Sequence, residues 1–98
     1  MNDQLSCLHV VVEGRVQGVG FRYFVQENAQ LLGLTGWVRN VKEDQVEVWA
    51  EGRQPDLDKL LDLVRRGPPS AYVTGYRIQP ETPTGSLTRF QIAPSNWF

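Results

Sequence analysis

Between Glu13 and Phe21 the spacing of apolar residues changes from every second position to every third and fourth, and three glycines stand across the change. Before it, Leu8, Val10 and Val12 alternate with His9, Val11 and Glu13 in a run dominated by β-branched residues. That pattern predicts a central strand over residues 7–13, largely buried on both faces. After it, Phe21, Phe24, Val25, Ala29 and Leu32 form one helical stripe, with Arg22, Gln26, Glu27 and Gln30 off it and Gly33 as a C-terminal stop.

The two periods recur downstream. Residues 35–41 and 45–51 read as a hairpin joined by Lys42, Glu43 and Asp44, with Val46, Val48 and Ala50 alternating against Glu47, Trp49 and Glu51. Over 56–66, Leu57, Leu60, Leu61 and Val64 share a helical face, acids come early and Arg65 and Arg66 late, and Gly67, Pro68 and Pro69 end the helix. Residues 71–79 read as a strand that needs a bulge near Gly75 to bring Val73 and Tyr76 to one face. Residues 80–86 then form a loop and 88–92 a short last strand.

This order predicts an α+β, ferredoxin-like β-α-β-β-α-β sandwich: a mainly antiparallel sheet, two helices on one face, and a short C-terminal extra strand. The first and third strands are expected to run parallel through right-handed crossovers. With 98 residues, the chain fits a single domain over 1–98. The fold by itself names no function.

Composition narrows the classes. Ten basic against 11 acidic side chains give a net charge of -1, so broad binding to a polyanion is not expected and any anion site is local. One cysteine, Cys7, cannot form an intramolecular disulfide and reads as a small buried hydrophobe. With one histidine, His9, there is no Cys/His cluster for zinc, and His9 reads as a packed residue rather than a base. Asp56, Asp58 and Asp62 read as a solvated helix face, and Trp37, Trp49 and Trp97 as packing rather than base-stacking platforms. No basic leader precedes an apolar segment and no run approaches about 20 apolar residues, so a soluble, cytoplasmic protein without a membrane partner is expected.

The informative segment is Gly14-Arg15-Val16-Gln17-Gly18-Val19-Gly20-Phe21-Arg22. Glycines permit positive φ and close backbone approach, so successive N–H groups converge on one point, and the helix N-terminus adds unpaired donors. Arg22 adds a guanidinium fork suited to two phosphate oxygens. The spacing fits neither the Walker nor the Rossmann pattern, and on glycine spacing alone an ordinary tight turn is the better reading. A second segment, Gly36-Trp37-Val38-Arg39-Asn40, places Asn40 near a strand end, where asparagine calls for a reason. It either begins the hairpin turn or orients an attacking water beside an anion. Arg39, beside Trp37, is expected near the site entrance.

These two segments resemble the signature motifs of the acylphosphatase family, and the likeness covers nearly the whole chain. The resemblance implies a small hydrolase of the carboxyl-phosphate mixed anhydride, using no metal or cofactor. It makes Arg22 and Asn40 catalytic, Arg22 binding the phosphate and Asn40 orienting the water. Arg15, Val16, Gln17, Gly18, Val19 and Gly20 then cradle the phosphate through backbone amides, with the Gln17 side chain as an added contributor. It also implies that the substrate phosphate takes the proton from water. The expected partners are a small acyl phosphate and inorganic phosphate as product and inhibitor, with no nucleic acid, for a monomer. The family often has Asp-Gly in the hairpin turn where this chain has Glu43-Asp44; Asp tolerates the left-handed region, so the turn is expected to survive. In some members the C-terminal carboxylate approaches the arginine, which would here be that of Phe98. The alternatives are a phosphoanion-binding or RNA-binding module without turnover, though residues 8–12 lack the aromatics of an RNA-binding sheet, and a domain acting on carbamoyl phosphate, as in larger hydrogenase-maturation proteins.

Overall fold

The computed structural model describes residues 4–96. Its elements are β1 (Ser6–Arg15), α1 (Phe21–Leu31), β2 (Thr35–Val41), β3 (Gln45–Gly52), α2 (Gln54–Arg66), β4 (Tyr72–Glu81) and β5 (Phe90–Ile92). The five strands form one sheet in the order β4-β1-β3-β2-β5. The architecture is the ferredoxin-like α+β sandwich.

One topological expectation is corrected. β1 and β3 are antiparallel neighbours, not a parallel pair. Each helical crossover leaves a one-strand gap that the other half of the chain fills: β1 and β2 flank β3, while β3 and β4 flank β1. Leu8, Val10 and Val12 of β1, Val38 of β2 and Val46, Val48 and Ala50 of β3 form one core with Phe21, Val25 and Ala29 of α1 and Leu57, Leu60 and Val64 of α2. Burying each large apolar side chain contributes about 1.5–3 kcal/mol, which fixes both helices on this face. β1 is fully buried only on that side; His9 and Val11 on the other face are half-buried.

The bulge falls where expected: Glu13 faces Gly75 and Gly14 faces Val73, which leaves no β1 residue facing Thr74. β4 runs on through Pro80 and Glu81 rather than ending at 79. It is an edge strand, where the missing N–H of proline is tolerated. The hairpin turn places its left-handed residue at Lys42 (φ 55), not at Asp44, and Lys42 is the one non-glycine residue with positive φ among the described residues. β5 is shorter than expected, over 90–92, and pairs in parallel with β2. Residues 93–96 continue along the same edge: Ala93 N–H donates to Val38 O at 2.9 Å and Asn96 N–H to Asn40 O at 2.8 Å.

Candidate active site

β1 ends at Arg15, and the chain turns through Val16–Gly20 into α1. Val16 is buried and anchors the turn, while Val19 packs against the edge of the core. Gly18 (φ +72) and Gly20 (φ +77) take left-handed conformations, and a Cβ on either would meet nothing within 4 Å. They are therefore required for backbone direction, on the side of the loop that faces open space. Gly20 is the N-cap of α1 and supplies no side-chain cap; the first intrahelical bond runs from Phe24 N–H to Gly20 O at 3.0 Å. The amides of Phe21, Arg22 and Tyr23 precede it and lack intrahelical acceptors. Among the described residues, the amides of Gln17, Gly18, Val19 and Gly20 also donate to no backbone carbonyl.

The first turn of α1 contains no acid. Arg22 sits there half-buried, adding positive charge to the positive end of the helix dipole. Unpaired donors and a cation at one point suit an anion.

Opposite lies Asn40, on the helix-facing side of β2 and 9 % exposed. Its side-chain Oδ1 is buried without a hydrogen-bond partner among the described residues. Val16, Gln17, Gly18, Gly20, Phe21, Arg22, Tyr23 and Asn40 line one cavity of about 210 Å³. At roughly 30 Å³ per water, that is room for a phosphoryl group and a water together.

The main-chain path that frames this cavity is shared with a known group of proteins. Residues 8–92 match the family model described as Acylphosphatase. The chain belongs to the acylphosphatase family. It is 42% identical over 92 residues to the acylphosphatase of Acaryochloris marina, covering 94% of this chain and 98% of that one. It superposes on the crystal structure of acylphosphatase from Bacillus subtilis with a TM-score of 0.85 and 39% identity, covering 92% of this chain and 99% of that one. It also matches a full-length HypF solved in a phosphate- and nucleotide-bound form, with TM-score 0.90 and 27% identity. There the match covers 98% of this chain but 13% of the HypF chain.

Around the cavity of this acylphosphatase the motif residues separate into groups. Val16, Gln17, Gly18, Gly20, Arg22 and Asn40 meet at the cavity, whereas Arg15, at the exposed end of β1, and Val19 do not line it. Phe21 and Tyr23 line it without having been singled out; their flanking of Arg22 in the first helical turn was the available signal. The Gln17 side-chain Nε2 is engaged by carbonyls of the β2–β3 hairpin, so it is not a free donor for a ligand. Arg39 is not at the entrance: it pairs with Glu47 at 2.7 Å and stands over Trp37 at 5.0 Å, on the sheet face opposite Asn40. His9 shares a 2.6 Å hydrogen bond with Glu47 on that same face. The expectations for Trp97 and for the Phe98 carboxylate lie outside the described residues. Among those residues, no three His, Cys, Asp or Glu side chains gather as a metal site, and no helix is long and apolar enough to cross a membrane.

Proposed function

We propose that this acylphosphatase hydrolyses acyl phosphates, with Arg22 and the 15–20 loop binding the phosphoryl group and Asn40 holding the attacking water. The observation that carries this reading is the buried, unpartnered Oδ1 of Asn40 on the wall of the cavity that Arg22 enters. A buried acceptor left dry costs about 1–3 kcal/mol, so it calls for a polar partner, and water is the smallest one.

The chemistry follows from the donors. Amides 17–23 and the Arg22 fork contact the non-bridging oxygens and stabilise the charge that spreads over them in the transition state. Asn40 Oδ1 accepts a hydrogen bond from water, which turns a water lone pair towards phosphorus. The water oxygen forms the new P–O bond while the P–O bond to the acyl group breaks and the carboxylate leaves with its electron pair. Carboxylate is a good leaving group, so no strong general acid is needed. The water proton passes to a phosphate oxygen, as the family resemblance implies. Inorganic phosphate occupies the same cradle and inhibits. The protein acts as a monomer, one domain over 1–98, in the cytoplasm.

The test is release of carboxylate and phosphate from benzoyl phosphate in EDTA, comparing the wild type with Asn40→Ala. Turnover that survives EDTA and collapses in a folded Asn40→Ala supports the proposal. Phosphate binding without turnover in the wild type would make the cradle an anion receptor and refute it.

A further inference from the structure

We infer that Gln17 is a positioning residue that sets the distance between the phosphate cradle and the water on Asn40, a role that rests on the function proposed above. Gln17 Nε2 donates to Gln45 O at 3.0 Å, Lys42 O at 3.1 Å and Val41 O at 3.3 Å. An amide nitrogen carries two hydrogens, so three carbonyls share two donors and hold the side chain in one orientation. Those carbonyls surround the β2–β3 turn, whose first residue, Lys42, is two residues after Asn40. Gln17 also lines the cavity, between Val16 and Gly18 of the loop. One side chain thus ties the cradle to the end of the strand that carries the water ligand.

The rest of the neighbourhood makes this tie a ruler. Gly14 N–H donates to Asp44 O at 3.0 Å, a second strap between the end of β1 and the same turn. From the far side, Lys42 N–H donates to Asn96 O at 2.8 Å and Asn96 N–H to Asn40 O at 2.8 Å. Lys42 is therefore held at both its N–H and its carbonyl, which sustains its left-handed backbone. The end of β2 moves neither towards the loop nor away from it without breaking bonds at Gln17 or Asn96. In-line attack needs reacting atoms about 3–3.5 Å apart, and a misplacement of about 1 Å costs on the order of 10²-fold. The loss of Gln17 should accordingly fall on kcat, not on phosphate affinity.

A double-mutant cycle tests this. Gln17→Met keeps the side-chain volume and removes the donors. Its kcat for benzoyl phosphate is expected to fall about tenfold or more, with the phosphate inhibition constant changed less than about twofold. In an Asn40→Ala background, which holds no water in place, the same substitution should change the residual rate less than about twofold. Equal fold losses in both backgrounds, or a loss carried by phosphate affinity, would overturn the inference. Gln17→Ala is run in parallel; if neither variant gives a cooperative melt, the three bonds serve folding alone and the inference is equally overturned. Failure of the proposed function is separately visible, because Asn40→Ala alone would then keep full turnover, whereas a failure at Gln17 leaves the Asn40 effect intact.

Discussion

Arg22 stands where a helix favours a carboxylate. A cation in the first turn opposes the helix dipole by about 0.3–1 kcal/mol, and no described acid offsets it. Arg22→Ala is therefore expected to lose on the order of 10²-fold in kcat/KM for an acyl phosphate, as when a transition-state donor is removed. In phosphate-free buffer its thermal midpoint should hold or rise, and added phosphate should raise the wild-type midpoint but not that of Arg22→Ala. A melt of both proteins with and without phosphate checks this. Two glycines give a second contrast. Gly20→Ala meets only the left-handed penalty, about 1–2 kcal/mol, since nothing lies near its Cβ. Gly36→Ala would drive a Cβ into Trp49 O in the β2–β3 ladder, on top of the strain of its own positive φ (+145), and is expected to cost more than about 4 kcal/mol. Urea unfolding of the two variants compares strain alone with strain and collision together. That Arg22 and Asn40 line one cavity was legible through the resemblance of their two segments to a family's motifs, since glycine spacing alone favoured an ordinary turn and Asn40 equally suited a hairpin start. The use of the Gln17 amide was not, because its acceptors lie 24 to 28 residues away and are backbone atoms that carry no side-chain signature.

The elements were legible to within a few residues wherever apolar period alone decides them, as in α1, β2 and β3. Less legible was what lies on the second sheet face. Alternation assigns Glu51 to the polar side of β3, yet it is 2% exposed. The reason is the 82–89 loop: Glu51 accepts from Trp49 Nε1 at 2.7 Å, Thr84 N–H at 3.1 Å, Thr84 Oγ1 at 2.9 Å and Gly85 N–H at 3.1 Å. A loop folded back over an open sheet face leaves no periodic trace. The carboxylate serves as the pin that joins β3 to the β4–β5 connection. Glu51→Gln, which keeps the size but removes the charge, is expected to destabilise by about 2–4 kcal/mol. Amide exchange at Thr84 and Gly85 should quicken, while turnover per folded molecule stays unchanged. Hydrogen exchange together with an activity assay reads both. Equal exchange in the two proteins would show that the loop is held by other contacts.

At the scale of the molecule, two sheet-face carboxylates and one thiol bound the pH range of stability. Burial works to raise the pKa of Glu47 and of Glu51, but bonds from His9 and Arg39 to the first, and from Trp49, Thr84 and Gly85 to the second, leave both below the ordinary value of 4.5. Their stabilisation is present above that value and is lost as pH falls through the lower folded one. Cys7 behaves oppositely: burial, with Glu51 and Glu81 nearby, raises its thiol from 9.0 to about 11. Its contribution is complete below pH 9.0 and is lost as pH rises towards about 11, because the unfolded chain ionises first. Urea midpoints should fall on both sides of a plateau; Glu51→Gln should flatten the acid limb and Cys7→Ala the alkaline one. An unaltered alkaline limb in Cys7→Ala would assign that fall to other groups. The edge of β2 has a different consequence. The carbonyl of Asn40 accepts the N–H of Asn96, made more than 50 residues later in the chain, so during synthesis the cradle and its asparagine emerge from the ribosome well before the stretch that secures them. A nascent chain that stops short of residue 90 carries every motif residue and still has an unfinished flank, and its sheet edge stays open to any other strand until the last stretch is released.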